Sequence, residues 1–579
     1  MTRPQSRPLR IGNASGFYGD RFEAVREMLE GGPLDVLTGD YLAELTMLIL
    51  GRGRLKDPGA GYAATFLRQM EECLGLAAGR GTKIVTNAGG LNPAGLAERL
   101  RALAERAGVR VRVAHVEGDD LLPRAEELGF VHPRYGAPLT ANAYLGAWGI
   151  AECLRDGADI VVTGRVTDAS LVAGPAAAHF GWARDDWDAL AGATVAGHVL
   201  ECGAQATGGN YAFFQEIYNV KAPGGPAVPG FPLAEIHSDG SSVITKHEGT
   251  GGAVTVETVT AQLLYEIGGP AYAGPDVTTR FDTIELRQEG PDRVAVTGTR
   301  GSPPPATTKV CLNHLGGHRN EMTFVLTGLD VHGKADFARA QLEAVLGGDR
   351  PAKVEWTMIG APASDPGTQG EATALLRCAV LDPDPEKVGR AFSGAAVELA
   401  LAGYPGFTMT SPPGKGSPCG VYAPAFVPNG EIEHVAVLPD GTRRVVEGCG
   451  AAAVDETPSP RRPSAPVPGP LVRVPLGRVA GARSGDKGGD ANIGVWARTA
   501  EQWRWLDGFL TAERLAALLP ETRDLPVTRH TLPNLRAVNF VVEGLLQEGV
   551  SASTRFDPQG KALGEWLRSR LVDVPEAIL

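Results

Sequence analysis

The sequence predicts an α/β protein. It has a parallel-sheet α/β domain over 1–230, a mixed α+β second part over 231–454, and a small α+β tail over 471–579. Three observations predict this. Five times in the first 170 residues an apolar, strand-like run ends in a turn of Gly, Asn, Asp or Arg, with helical patterns between. Strands that alternate with helices argue for a parallel sheet. Beyond 230 the strand-like pieces cluster instead. At 455–470 six prolines in sixteen residues mark a linker. So dense a proline run propagates neither a helix nor a central strand, and makes an extended spacer.

In chain order, the five runs are 9–16, 35–40, 83–90, 111–119 and 159–168. Apolar periodicity predicts helices over 21–29, 41–50, 62–76, 93–107 and 145–154. The Asn92-Pro93 pair is a helix start, an Asn cap followed by Pro at the first helical position. In the second part, strands are expected at 242–246, 283–287, 293–297, 309–312, 321–326 and 353–358. Helices are expected at 256–265, 335–346 and 385–402. The tail reads as a strand, a Gly-rich turn, a strand over 493–497, a helix over 512–519, a strand over 537–542 and a helix over 563–571.

The chain has 579 residues, too many for one core at roughly 100–200 residues per domain. Its net charge of −12 argues against a nucleic-acid partner, which would select a basic stripe. A small anionic substrate is not excluded, since local basic residues set that affinity. Seven cysteines are scattered without CxxC spacing, which fits a reducing compartment better than a disulfide framework. No stretch approaches the ~18 apolar residues that would span a bilayer, and the basic N-terminus lacks an apolar signal core. The expected location is cytoplasmic, without a membrane partner.

In a parallel sheet the carboxyl ends of the strands share one edge, where ligands bind. That places Asn13, Asp40, Asn87, Arg165 and Asp168 in one pocket. The first loop, with Gly12, Ser15, Gly16 and a following helix, suits an anion, though it is no dinucleotide fingerprint. Gly89 and Gly90 shape a similar turn. Arg165 can grip a carboxylate or phosphate with two prongs, and Asp168 or Asp40 can move a proton. The alternative for Arg165 and Asp168 is an internal ion pair capping the next helix. Glu201-Cys202, before the Gly-rich 203–210, reads as a nucleophile at a strand-to-helix bend, although a buried structural Cys is commoner. Lys246, Gly249 and Gly251 could cradle a phosphate, or merely cap a helix. Arg483, Ser484, Asp486 and Lys487 either complete the cleft from the tail or shape a tight turn. Possible metal ligands around His115, Glu117 and Asp119, or His237 and Asp239, match no established spacing. No metal is expected.

The strand-end motifs GNASG (12–16), TGDYL (38–42), NAGGLNP (87–93) and TGRVTDAS (163–170), with ECGAQATGGN (201–210) and KHEGTGG (246–252), resemble the acyclic terpene utilisation (AtuA-like) family. RSGDKGGDANIG (483–494) looks like that family's ferredoxin-like tail domain. The resemblance covers nearly the whole chain. It implies bacterial breakdown of branched acyclic terpenoids through acyl-CoA thioesters. The expected function is a catabolic enzyme acting on a branched acyl-CoA or related acid, by hydration, dehydration or acyl transfer. Asp40, Asp168, Glu201 and Cys202 are the catalytic candidates. No tightly bound cofactor is expected; coenzyme A would enter as part of the substrate, and a homo-oligomer is compatible. Two rivals are a non-catalytic ligand-binding or scaffold subunit and a metal-dependent hydrolase built on His115 and Glu117.

Overall fold

The computed structural model describes residues 7–218, 228–449, 451–453 and 468–579. Most of the expected linker, 455–467, lies outside them. The five polar-ended runs form the strands Leu9–Asn13, Val36–Gly39, Lys83–Thr86, Val113–Glu117 and Ile160–Thr163. Each is almost fully buried and rich in Val, Ile and Leu, as a strand covered on both faces must be. All five pair in parallel, with Ile160–Thr163 lying between Lys83–Thr86 and Val113–Glu117.

The second part completes this sheet. Pro232–Ile236 pairs antiparallel with Leu9–Asn13, and Ser242–Lys246, Arg293–Thr297 and Glu285–Gly290 continue outward to make one flank. Val435–Val437 and Arg443–Val445 extend the other, giving eleven strands among the described residues. Lys353–Ile359, Thr373–Asp382, Thr307–Thr327 and Ser417–Pro428 form a second antiparallel sheet, which Thr140–Ala143 of the first part joins by pairing with Thr307–Thr327, and Ala271–Ala273, Thr278–Arg280 and Arg300–Ser302 form a small third one. The two strands expected at 309–312 and 321–326 are one strand of 21 residues. Gly317, at φ 110°, takes up a bulge where the register against Ser417–Pro428 shifts, so the chain stays in the strand between the two expected pieces. The helix expected over 385–402 is likewise broken at Gly389, whose ψ of −112° is non-helical.

Trp187–Leu200 is a helix that the sequence pattern did not reveal. Its Ala, Gly and Val residues are buried all round, so it carries no amphipathic stripe. Glu201 and Cys202 therefore end a helix and enter the 3-10 turn Gly203–Thr207, and the strand-to-helix bend expected there is corrected.

The tail is a four-stranded antiparallel sheet, Ala480–Lys487, Asp490–Ala497, Ala537–Val542 and Val527–Leu532, backed by three helices. Ile493, Leu506, Phe540 and Leu567 belong to its own apolar core, while Trp496 is buried in the core of the main body. Two fully buried asparagines bond it to that body. Asn492 accepts from the Glu266 amide at 2.8 Å, and Asn539 donates to the Gly268 carbonyl at 2.6 Å.

Candidate active site

The carboxyl ends of the parallel strands converge. Asn13 donates from Nδ2 to the Leu200 carbonyl at 2.6 Å and so pins the end of the buried helix beside the first strand. Asn87 donates to Asp40 Oδ1 at 2.6 Å, and the Leu42 amide adds a second bond. Arg165 makes a 2.6 Å ion pair with Asp168 and lies 4.3 Å over the Tyr144 ring. Its own backbone is fixed by Asp119, whose buried carboxyl accepts from the Arg165 amide at 2.9 Å and from Asn142 at 2.8 Å. Burial pushes Asp119 up to about 7. Arg165 Nε is buried without a partner.

Around this pair stand five further acidic side chains: Asp40, Glu44, Glu201, Glu266 and Asp486. Each lies close enough to another charged member of the group to perturb it. Burial, reinforced by Asp168, holds the Asp40 carboxyl well above the usual range. Burial and Asp168 do the same to Glu201. Glu266 is raised to about 7 by burial and by Asp486, and Asp486 to about 6 by burial and by Glu44. Glu44 departs from this pattern, because Lys309 and Arg165 outweigh burial and lower it. His198 Nδ1 comes within 3.0 Å of Glu201 Oε1, without the alignment of a hydrogen bond. Burial pushes His198 down to about 4 while Glu201 is pushed up, so the two are neutral neighbours, not an ion pair.

The tail closes the other side. Its first hairpin carries Asp486 and Lys487 into the same cluster, and Lys487 Nζ donates to the Glu266 carbonyl at 3.2 Å. Arg483 hydrogen-bonds Gln205 and stacks 4.3 Å over Tyr265. Asp168, Glu266 and Asp486 are half-buried and Lys487 is exposed, although all four belong to the same charged cluster. That combination describes a wet cleft between body and tail. A small crevice lined by Glu44, Leu48, Tyr422, Asp486 and Val550 meets the cluster at Glu44 and Asp486.

Other expected residues have structural tasks. The bare α-carbon of Gly12 makes room for Met28 and Leu34. Ser15 donates to the Phe17 carbonyl, and Gly16 packs against the backbone of Cys202. Gly89 lies against the Thr163 carbonyl, and Gly90 turns at φ 54° beneath Gly61. Lys246 is engaged by Asp292 and by the Thr250 carbonyl, Gly249 turns at φ 77°, and Gly251 accepts from the Gly230 amide. These contacts brace their own loop. Ser484 braces the tail through Lys561 and Gly564. Glu117 is held by His115 and Arg443, while Asp239 accepts from Ser241 in a hairpin turn. Among the described residues no three His, Cys, Asp or Glu side chains cluster as a metal site.

Sequence reasoning missed Glu44, Tyr144, Glu266 and Lys309. Glu44 sits in a first helical turn, where an acid commonly serves the helix dipole. Glu266 follows a helix and adopts φ 57°, before Ile267-Gly268-Gly269-Pro270; that glycine-proline turn was its available signal.

The fold and cleft define a two-module α/β protein whose carboxylate-rich site is completed by a small C-terminal domain. The family model described as acyclic terpene utilisation family protein AtuA matches residues 9–438. The AtuA ferredoxin-like domain model matches 474–573. The chain belongs to the AtuA family, and that membership suggests a role in acyclic terpene utilisation. No curated protein and no solved structure matches it. Among the described residues, no helix is long and apolar enough to cross a membrane.

Proposed function

We propose that the cleft adds water to, or removes it from, a branched acyl-CoA or the corresponding acid in acyclic terpene breakdown. One observation carries this reading: carboxyl groups with raised pKa surround an arginine that keeps a buried, unpartnered Nε. A carboxyl that keeps its proton near neutrality is suited to general acid catalysis. Arg165 holds the substrate's carbonyl or carboxylate oxygen through its free edge. Asp168, already against Arg165, accepts the proton removed from carbon, and Asp40 or Glu201 donates one to the departing hydroxyl. Run backwards, the same groups add water.

Acyl transfer through Cys202 is the weaker reading. Burial, with Glu201 and Glu266 alongside, raises that thiol well above its usual value, whereas a nucleophilic cysteine requires the thiolate. The free cysteines support a reducing compartment, and we place the enzyme in the cytoplasm.

The test is a thermal-shift screen of coenzyme A, acyl-CoA thioesters and free acids, with mass analysis of each stabilising compound for gain or loss of water. Arg165→Ala should weaken binding by ~2–5 kcal/mol, because a desolvated anion loses its charged partner. Asp168→Asn should lower turnover with little loss of binding. If coenzyme A and every thioester leave the melting temperature unchanged, the acyl-CoA substrate is wrong.

A further inference from the structure

The hydration chemistry above leaves one group unused. Lys487 stands at the tip of the tail's first hairpin, inside the cleft, with Glu266 and Glu201 facing it from the body. Among the described residues it forms no ion pair; its ammonium donates only to the Glu266 backbone carbonyl. Lys309 faces it from the long strand Thr307–Thr327 and is itself shared with Glu44, at 4.0 Å, and with the Tyr144 ring, at 4.9 Å. Lys487 is exposed at the cleft wall, where a substrate can reach it, and a lysine that faces a second lysine there is the arrangement that favours the free amine. Desolvation by the surrounding cleft first, and Lys309 second, bring Lys487 down to about 8, even though its side chain is exposed.

The neighbours supply what an amine nucleophile requires. Attack on a carbonyl gives a carbinolamine, which must lose hydroxide, and a protonated carboxyl lowers that barrier. Glu266, raised to about 7, is such a donor and is fixed at φ 57° by the Asn492 bond from the tail. The amine and the asparagine that fixes the acid lie on the two arms of one hairpin of the tail.

We propose that Lys487 is a covalent site that captures an aldehyde or ketone as an imine, with Glu266 as the acid for its dehydration. The C–N bond forms between Nζ and the carbonyl carbon. Glu266 protonates the hydroxyl, which leaves as water, and the nitrogen returns its proton to Glu266. This capture does not depend on the hydration reading, because its readout is a covalent adduct and not turnover.

The experiment incubates the full-length protein with 3-methylbutanal or pyruvate and sodium cyanoborohydride at pH 7.5, followed by peptide mass mapping. The α-amino group, with an ordinary pKa of about 7.7–8.0, is the internal reference. Lys487 should be reduced onto the probe at least tenfold faster than the median lysine. Its rate should rise with pH towards about 8, and Lys309→Met should slow it by removing the neighbouring charge. Lys487→Arg should abolish that adduct. If that variant does not fold, the wild-type map alone decides. Labelling of Lys487 no faster than surface lysines in the folded protein overturns the proposal.

Discussion

A carboxyl enclosed by protein and faced by another carboxylate holds its proton to higher pH, and Asp40 is in that position. The consequence for stability follows from linkage. Because its folded pKa is raised, the folded state binds more protons than the unfolded one as pH climbs above the ordinary aspartate value of about 3.9. Asp40 therefore costs stability progressively through that rise. Asp40→Asn keeps an oxygen to accept from Asn87 and Leu42 but carries no charge. Its melting temperature relative to wild type should increase from pH 5 to pH 8. A difference that stays flat would mean that Asp40 is not held protonated. Arg165 makes the opposite case: its charge is fixed, and Tyr144 and Asp168 define where it lies. Arg165→Lys cannot reproduce that planar contact and two-pronged grip, so ligand stabilisation should fall even though the charge remains.

At the scale of elements, the strand-end turns depend on glycines that tolerate no side chain. A Cβ on Gly89 would meet the Thr163 carbonyl oxygen at 2.4 Å and Pro93 Cα at 2.7 Å, both backbone atoms of neighbouring elements. Gly89→Ala should cost ~1–3 kcal/mol by overpacking, read as a lowered denaturation midpoint. Gly81→Ala is the control, with open space around its Cβ and strain only from φ 68°. These turns are also why much of the fold was legible. Apolar runs closed by Gly, Asn or Asp located all five parallel strands, and the Asn92 cap fixed the helix Pro93–Ala107, with Asn92 Oδ1 accepting from the Gly95 amide at 2.9 Å. The pattern failed where its physical basis was missing. Trp187–Leu200 is apolar on every face, and a bulge at Gly317 lets one strand run on where two separate strands were expected. The site was legible only in part for the same reason. Asp40 and Arg165 end strands, whereas Glu44, Glu266 and Lys309 reach the cleft by packing across elements far apart in sequence.

The whole molecule joins its two modules at the site, with carboxyl groups on both sides of the contact. Asp486 on the tail raises Glu266 on the body, Glu44 on the body raises Asp486, and Asp168 and Asp557 add further negative charge. Lys487, Lys309 and Lys561 oppose it. Both pKa values are raised, to about 7 and about 6, so the protonated forms favour the docked state. As pH rises through 6 to 7, each ionisation places like charge against like across the contact, and docking weakens. Opposing this are buried bonds that do not titrate, those of Asn492 and Asn539. The expected result is local opening without loss of the tail's own fold. Amide exchange, corrected for its intrinsic pH dependence, should speed up at 266–268 and 485–487 between pH 6 and pH 8. The buried strand Ala537–Val542 should remain protected. Asp486→Asn should flatten that pH dependence by removing one partner of the repulsion, while Asn492→Ala should raise exchange at 266–268 at every pH. Equal exchange at pH 6 and pH 8 in wild type would show that the paired carboxyls do not govern the contact.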